Sequence, residues 1–233
     1  MTVRAARLIS IIPLAGPDIV MPLPKPLTLI EGRPLLAHTL GSRPWVKSGE
    51  LTSDAMIFVL KEGDTLPALR EFVNTQFPGC RIVVISEVSR GALLSALAGA
   101  SLIQTLDSPI VVDLVDILYS ADFSPSSLFE THPSVDGILP YFESDLPKYS
   151  YMEIQGGRVT RTMEKQVISS HASAGTYFFR NLSCLLTAAA DSVAQFDSHQ
   201  VNGNLFLCPC FNGLISPTRE VHPIPVTNVV SKS

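Results

Sequence analysis

The sequence predicts a single-domain α/β protein with a mixed, mainly parallel sheet and helices on both faces. Short apolar runs rich in β-branched residues alternate with helical stretches through the first half of the chain. Strands that are buried on both faces of a parallel sheet have this continuous apolar character. The 233 residues, 46% hydrophobic and 16% charged, are enough for one sizeable core and disfavour disorder.

The first half alternates strand and helix in a regular order. Strands are predicted at residues 8–12, 55–60, 81–85 and 109–113, and helices at residues 34–40, 66–76 and 92–106. The first strand, Leu8-Ile-Ser-Ile-Ile12, is typical of the four, since nearly every position in it is apolar. This alternation predicts a parallel sheet wound with helices.

The second half changes character. Strands are predicted at residues 136–143, 149–154 and 175–179, and a helix at residues 182–193. Gln155-Gly-Gly-Arg158 is typical of a hairpin turn, which indicates antiparallel pairing around it. We find no linker, internal repeat or low-complexity tract, so one domain spanning residues 1–233 is predicted, with both halves sharing one sheet.

Composition excludes several classes of protein. A net charge of −4 and a pI near 5.7 disfavour binding to nucleic acid or to anionic membranes. Four cysteines are too few for a disulfide framework, and Cys208-Pro-Cys210 lacks the second pair that a zinc site needs. Arg4 and Arg7 precede an apolar run that is too short for a membrane span. We therefore expect a cytoplasmic protein.

Lys25 lies in an unusual context, Pro22-Leu-Pro-Lys-Pro-Leu27, between the first predicted strand and the first predicted helix. A lysine at the mouth of a strand-loop-helix unit is well placed to meet a phosphate. Ligands of such sheets gather beyond the carboxyl ends of the strands. Lys25, Gly91 and Asp116 all follow predicted strands and are therefore expected to share one cleft.

Asp116 follows the apolar run that ends in Val111-Val-Asp113. A carboxylate in this position is costly unless it is hydrogen-bonded or bound to a cation, and carboxylate plus substrate phosphate is the usual way to hold Mg²⁺. Asp113 competes for the role, and either residue alternatively caps a turn. We favour Asp116 because residues 119–122 then form the start of the following loop.

Gly91 and Lys165 each allow two interpretations. Gly91, in Ser89-Arg-Gly-Ala92, permits close approach of a nucleobase or phosphate to a helix start, or simply begins the helix. Lys165, beside Glu164, either meets a ligand or belongs to a solvated charge pair, and the same holds for Arg161.

Several catalytic motifs are absent from the sequence. The five histidines show no metal-ligand spacing, and there is no serine-elbow motif. The sequence also lacks a Gly-x-Gly-x-x-Gly motif and a P-loop, which disfavours dinucleotide-dependent dehydrogenases and kinases. Among the histidines, His171 lies nearest to Lys165 along the chain.

Taken in order, these segments resemble the sugar-phosphate nucleotidyltransferases. The matching segments are Pro24-Lys-Pro-Leu27, Ile30-Glu-Gly-Arg-Pro-Leu-Leu36, Arg90-Gly-Ala92, Val115-Asp116, Glu164-Lys165 and Ala174-Gly-Thr-Tyr177. The stretches at residues 141–151, 168–172 and 201–209 look most like a subgroup associated with bacterial capsule and surface-polysaccharide genes. The resemblance covers nearly the whole chain and implies a fold related to the A-type glycosyltransferases.

The resemblance also implies a reaction and a set of roles. Such enzymes join a nucleoside triphosphate to a phosphorylated small molecule and release pyrophosphate. Residues 1–122 would form the nucleotide-binding half and residues 123–233 the acceptor-binding half; a homo-oligomer is compatible with this. The implied roles are catalysis by Lys25 and Asp116, Mg²⁺ binding by Asp116, nucleotide binding by Ala15, Gly16, Lys25, Gly91 and Ala92, and acceptor binding by Glu164, Lys165 and Gly175.

Two departures from the family pattern leave a second hypothesis open. The first loop of the family contains Gly-x-Gly-x-Arg, whereas here Gly16 is followed by Pro17 and Asp18 and the arginine is missing. A second metal-binding aspartate near the C-terminus has no clear counterpart, with Asn212 as a polar candidate only. The alternatives are an active nucleotidyltransferase and a degenerate module that binds a nucleotide or partner without turnover. A glycosyltransferase is less favoured, because Asp113-Leu-Val-Asp116 is one residue longer than an Asp-x-Asp motif.

Overall fold

The computed structural model describes residues 7–16, 24–87 and 89–231. Its strands are β1 (Ile9–Pro13), β2 (Leu29–Ile30), β3 (Arg33–Pro34), β4 (Met56–Lys61), β5 (Arg81–Ile85), β6 (Ile110–Asp113), β7 (Ile117–Ser120), β8 (Val135–Glu143), β9 (Ser150–Gln155), β10 (Arg158–Glu164), β11 (His171–Ser173), β12 (Thr176–Phe179), β13 (Glu220–Pro225) and β14 (Thr227–Ser231). Its α-helices are α1 (Leu35–Ser42), α2 (Pro44–Lys47), α3 (Leu66–Gln76), α4 (Ala92–Ala100), α5 (Pro125–Thr131), α6 (Leu182–Ala194), α7 (Phe196–His199) and α8 (Leu207–Cys210).

One ten-stranded sheet runs through the molecule in the order β10-β9-β11-β8-β12-β6-β1-β4-β5, and β13 pairs with β8. The strands from β6 to β5 are parallel, and β12 joins them to a largely antiparallel second half. The mixed α/β fold predicted from the sequence is therefore confirmed. Because β1 and β6 are parallel neighbours, the segments that follow Pro13 and Asp113 leave the sheet side by side.

The core lies on both faces of this sheet. Successive residues of a strand point to opposite faces, so Ile11 packs with α4 and α6 on one face while Ile12 packs with α1 and α3 on the other. Gly99 of α4 comes so close to β1 that a Cβ there would lie 2.6 Å from the Ile11 side chain. A Trp45–Phe178 edge contact, with ring centroids 4.9 Å apart, belongs to the second face. The apolar runs of β1, β4 and β6 are buried because both faces are covered, whereas the edge strand β5 is only partly buried.

Two sequence predictions about element boundaries were wrong. The helix predicted at residues 92–106 ends at Ala100, because Leu102 and Ile103 donate to carbonyls three residues back and the chain turns, which buries Ile103. Residues 119–122 were predicted to start a loop, but the first two of them belong to β7, which pairs with the C-terminal β14. That pairing joins residues more than a hundred positions apart, so no local pattern predicts it.

No helix in the described parts of the chain combines the length and the apolar character that crossing a bilayer requires.

Candidate active site

A cavity of about 140 Å³ lies beyond the carboxyl ends of β1 and β6. Its lining includes Gly16 from the loop after β1, Lys25 from the turn before β2, and Asp116 from the segment after β6. Of the three residues expected to share one cleft, Lys25 and Asp116 line this cavity, whereas Gly91 does not. Ligands of wound parallel sheets bind at this edge, so we place the candidate active site here.

A larger cavity, of about 1080 Å³, opens at the opposite edge of the parallel strands. It lies where β1, β4 and β5 begin, next to Arg7, Asp54 and Arg81. Arg7 is hydrogen-bonded to Asp54, and Arg81 donates to the Leu102 carbonyl, so these charges already have partners within the chain. Size alone therefore does not make this cavity the better candidate.

Lys25 is held by a short, proline-flanked turn. It begins a 3₁₀ turn, Lys25–Leu27, in which Leu27 N–H donates to Pro24 O at 2.8 Å and Thr28 N–H donates to Lys25 O at 3.1 Å. Pro24 and Pro26 restrict the backbone on both sides of the lysine. The turn thus presents the ammonium group at the cavity with little freedom in its main chain.

The Asp116 carboxylate is buried and incompletely paired. Its Oδ1 atom is inaccessible to solvent and has no hydrogen-bond partner among the described residues. Burial raises the pKa of this carboxyl group, and the positive charges of Lys25 and Arg43 oppose that rise. A buried carboxylate oxygen without a donor favours a cation at this position.

Gly175 packs directly against this carboxylate. Its φ of +75° is a conformation that L side chains rarely adopt, and a Cβ there would lie 2.9 Å from Asp116 Oδ1. Its carbonyl accepts a hydrogen bond from Leu114 N–H at 3.0 Å. The resemblance implied that Gly175 lets the backbone approach the acceptor. In the structure the close approach is to Asp116, which ties the turn before β12 to the same site.

Asp113, the competing carboxylate, is fully engaged elsewhere. Arg43 Nε and Nη2 donate to its two oxygens at 2.7 and 2.9 Å, and Asp113 Oδ1 also accepts from Val115 N–H at 2.9 Å. The side chains of Arg43 and Asp113 are 0% and 1% exposed. This leaves Asp116 as the carboxylate that faces the cavity. Sequence reasoning missed Arg43, because nothing near it in the chain marks an arginine as buried.

Glu164 and Lys165 lie at the end of β10. Glu164 is buried and accepts a hydrogen bond from Ser150 Oγ. Burial raises the pKa of Glu164; the Ser150 hydrogen bond and the charge of Lys165 lower it, whereas the charge of Asp116 raises it further. The Glu164 carboxylate therefore lies within electrostatic reach of Asp116, although neither Glu164 nor Lys165 lines the small cavity.

Lys165 has a φ of +53°, and its N–H donates to Tyr149 O at 3.1 Å. Its ammonium group lies 5.3 Å from the centroid of the Phe206 ring, a cation–π distance. Arg161, by contrast, is half-exposed and 3.8 Å from Glu153, which corresponds to the solvated charge pair considered above. The positive φ and the contact with the Phe206 ring distinguish Lys165 from Arg161.

Gly91 is explained by packing between distant segments. Its φ is +101°, and a Cβ would lie 2.1 Å from Leu205 O. Leu205 N–H donates to Arg90 O at 2.9 Å, and Leu93 N–H donates to Leu205 O at 3.3 Å. Leu205 thus takes up one of the free N–H groups at the start of α4. The role of Gly91 and Ala92 in binding a base stays a prediction.

We expect Gly91→Ala to destabilise the protein more than the substitution of a positive-φ glycine that faces open space, because the φ of 101° and ψ of 168° at Gly91 are nearly confined to glycine and an added Cβ would also meet Leu205 O. Gly157 is the matched control, since it has a φ of +76° and no heavy atom of the described residues within 4 Å of an added Cβ. Because Gly91→Ala adds a backbone clash, we expect its free energy of unfolding to fall by about 1–3 kcal/mol more than that of Gly157→Ala. Urea unfolding of both variants measures this, and equal losses would contradict the packing described for Leu205.

The remaining predicted residues fall into two groups. Ala15, in the loop after β1, is buried, and Gly16 beside it lines the cavity, whereas Pro17 and Asp18 lie outside the described residues. The Asn212 side chain is hydrogen-bonded to the backbone of β10. It accepts from Thr162 N–H at 2.9 Å and donates to Thr162 O at 3.0 Å. It therefore offers no second acidic ligand at the site.

The residues present fit a magnesium site that is completed by substrate. The described part of the chain contains no cluster of three or more histidine, cysteine, aspartate or glutamate side chains that could hold a metal ion. Asp116 nevertheless lines one cavity with Lys25, and its Oδ1 atom has no hydrogen-bond partner among the described residues. Mg²⁺ is commonly bound by one or two carboxylates together with substrate phosphates, so a single aspartate is a sufficient protein contribution.

Several solved structures have the same fold as this chain. A nucleoside-diphosphate-sugar pyrophosphorylase from Vibrio cholerae RC9 superposes with a TM-score of 0.75 and 20% identity, over 96% of this chain and 95% of the other. A UDP-glucose pyrophosphorylase complexed with UDP-glucose gives a TM-score of 0.67 and 14% identity, over 95% and 92% of the two chains. The inositol-1-phosphate CTP transferase of T. maritima gives 0.68 and 15%, over 97% and 88%.

These likenesses establish the fold. The chain has the architecture of the sugar-phosphate nucleotidyltransferases along nearly its whole length, as the sequence resemblance implied. No protein-family model matches the sequence, and no curated protein matches it either.

Proposed function

We propose that this protein transfers a nucleoside monophosphate from a nucleoside triphosphate to a phosphorylated sugar or similar small molecule and releases pyrophosphate. The observation that carries the proposal is the shared cavity of Lys25 and Asp116 at the carboxyl edge of the parallel strands. An ammonium group and an unpaired buried carboxylate are the two groups that a polyphosphate with its cation requires. The fold, which is that of enzymes named for this chemistry, supports the same reaction class.

The reaction asks the protein for alignment and charge neutralisation. An oxygen of the acceptor phosphate attacks the α-phosphorus, and pyrophosphate leaves with the electrons of the broken bond. Lys25 would neutralise charge that develops on the departing pyrophosphate, and Lys165 would hold the acceptor phosphate. Bound Mg²⁺ would supply further neutralisation of the phosphates. Asp116, buried against Gly175, would hold that ion in a fixed place.

The finer features of the proposal come from the resemblance. An acceptor used for surface-polysaccharide precursors fits the subgroup that residues 141–151 and 201–209 resemble. Nucleoside triphosphates are cytoplasmic substrates, so the proposed reaction implies a cytoplasmic protein. The missing arginine of the first loop favours the alternative, a catalytically impaired module that binds nucleotide.

We expect pyrophosphate release when the protein is incubated with Mg²⁺, one of the four nucleoside triphosphates and a suitable member of a panel of sugar and polyol phosphates. Release should require both substrates and should stop with excess EDTA. Lys25→Met should reduce the rate by about two orders of magnitude, because it removes the charge near the leaving group. Lys47→Met, at an exposed lysine of α2, is the matched control and should leave the rate unchanged.

Three results distinguish the two functions. Turnover that is sensitive to Lys25→Met supports the proposed enzyme. A nucleotide-induced rise in melting temperature without pyrophosphate release, across the whole panel, supports the impaired binding module. If the protein shows no turnover, and no nucleotide shifts its melting temperature, both functions are overturned.

A further inference from the structure

A buried ion pair lies directly behind the candidate site. Arg43 and Asp113 are joined by two parallel hydrogen bonds, and the guanidinium carbon lies 4.2 Å from the centroid of the Tyr119 ring. Neither residue lines the cavity that Lys25 and Asp116 share. Burying two charges carries a desolvation cost that apolar residues of similar volume would avoid, so stability alone is a weak reason for such a pair.

The Arg43–Asp113 pair is hydrogen-bonded to Val115, a residue with a strained backbone conformation. Val115, immediately before Asp116, has a φ of +55°, which is unfavourable for a β-branched residue. Such a conformation persists only where its surroundings over-determine it. One of those surroundings is Asp113 Oδ1, which accepts the Val115 N–H at 2.9 Å while Arg43 holds the carboxylate in place. The ion pair thus fixes the conformation from which Asp116 projects.

The Arg43–Asp113 pair is also connected, through Tyr119, to the start of β12. Tyr119, which stacks on Arg43, shares a 2.6 Å hydrogen bond with Thr176 Oγ1. Thr176 follows Gly175, the residue whose missing Cβ leaves room for Asp116 Oδ1. Strand β6 and the start of β12 are therefore joined around the Asp116 carboxylate through Arg43 and its partners.

We propose that Arg43 and Asp113 are positioning residues, which hold Val115 in its strained conformation and so keep the Asp116 carboxylate directed at the cavity it shares with Lys25. The ligand held there would be a divalent cation that accompanies a polyphosphate, so this inference rests on the proposed function. The sequence left Asp113 as either a rival ligand or the cap of a turn, and its hydrogen bond from Val115 N–H, two residues further on, corresponds to the turn cap. Here Asp113 acts through Val115 and touches no ligand itself.

The test measures Mn²⁺ binding by the intact chain, with Mn²⁺ as a spectroscopic substitute for Mg²⁺ and inorganic triphosphate as a base-free probe. The double variant R43M/D113L replaces the ion pair by apolar side chains and removes the acceptor for Val115 N–H. We expect its Kd for Mn²⁺, in the presence of triphosphate, to rise at least about tenfold, as is usual when groups that orient a metal ligand are lost. R43M/D113N keeps an oxygen acceptor for Val115 N–H and should bind Mn²⁺ more tightly than R43M/D113L.

Two further variants separate positioning from folding. Arg180→Met breaks a charged cluster at the far end of β12, where Arg180 donates to backbone carbonyls of residues 129 and 135, and should leave the Mn²⁺ Kd unchanged. If R43M/D113L does not fold, Arg43→Lys, which keeps the charge and loses the two-pronged geometry, takes its place and should raise the Kd several-fold.

The outcomes for the two proposals differ. Suppose first that the wild type binds Mn²⁺ in the presence of triphosphate. If folded R43M/D113L then binds Mn²⁺ equally well, the positioning role is overturned while the proposed function stands. The same conclusion holds for Arg43→Lys where it replaces the double variant. If the wild type binds no Mn²⁺ under any of these conditions, the metal site of the proposed function fails with it. A weakened Kd in R43M/D113L, partly restored in R43M/D113N and unchanged in Arg180→Met, supports the positioning role.

Discussion

Asp116→Asn should lose about two to three orders of magnitude in the rate of pyrophosphate release and at the same time gain stability at neutral pH. The activity falls because the variant removes the charge that would hold the cation at the polyphosphate, while the shape of the side chain is kept. Stability rises because the amide that replaces the carboxylate carries no charge to bury. The opposite directions of the two effects are typical of a residue retained for function.

The sign of the stability effect follows from the pKa. Burial raises the pKa of Asp116 in the folded protein, so the folded state binds its proton more tightly than the unfolded state does. Wild-type stability therefore falls as the pH rises from the ordinary range of an aspartate through the raised pKa. The Asp116→Asn variant lacks this loss, so the difference between the two melting temperatures should grow with pH over that interval.

Thermal melts at a series of pH values, together with the pyrophosphate assay, measure both effects. Asp122→Asn is the matched control, since Asp122 is an exposed aspartate a few residues further along the chain. We expect it to change neither rate nor stability appreciably. An Asp116→Asn protein that keeps its activity, or one that melts below the wild type at neutral pH, would contradict the assignment of Asp116.

Arg43→Met should destabilise the protein by about 3–5 kcal/mol, the usual cost of leaving a buried charge without its partner. Asp113 is almost wholly enclosed, and it would keep only its hydrogen bond from Val115 N–H. The second substitution, Asp113→Leu in the Arg43→Met background, removes the stranded charge and should restore most of the lost stability.

Denaturant unfolding of the two single variants and the double variant gives the coupling between the residues. The exposed pair of Arg161 and Glu153 is the matched comparison, and Arg161→Met should cost less than about 1 kcal/mol. Losses of similar size for Arg43→Met and Arg161→Met would show that the Arg43–Asp113 pair is not buried as described.

Local patterns predicted much of the architecture. The apolar runs that became β1, β4, β5 and β6 were recognised as strands because both of their faces are covered in the fold. Boundaries that depend on distant partners were not predicted, as the end of α4 at Ala100 and the presence of β7 show. Tertiary contacts decide where an element stops, and they leave no periodicity in the sequence.

The candidate site shows the same division. That Lys25 and Asp116 meet was predicted from the rule that parallel strands present their carboxyl ends at one edge. The packing that requires glycine at position 91 was not predicted, because Leu205, which Gly91 packs against, lies more than a hundred residues away. Gly175 was predicted to face an acceptor, and its contact with Asp116 depends on the pairing of β12 with β6.

The amino-acid sequence by itself determined the class of fold, the order of its strands and helices in the first half, and the meeting of Lys25 with an aspartate at the sheet edge, since each follows from the local spacing of apolar residues. Only the tertiary structure decided which aspartate faces the cavity. The sequence favoured Asp116 only on the position of a loop, part of which is β7 in the structure. The difference between the two aspartates is made by Arg43, seventy residues from Asp113, whose side chain engages the Asp113 carboxylate and leaves Asp116 Oδ1 without a partner among the described residues. Such a choice depends on where a distant side chain packs, which short-range periodicity does not encode.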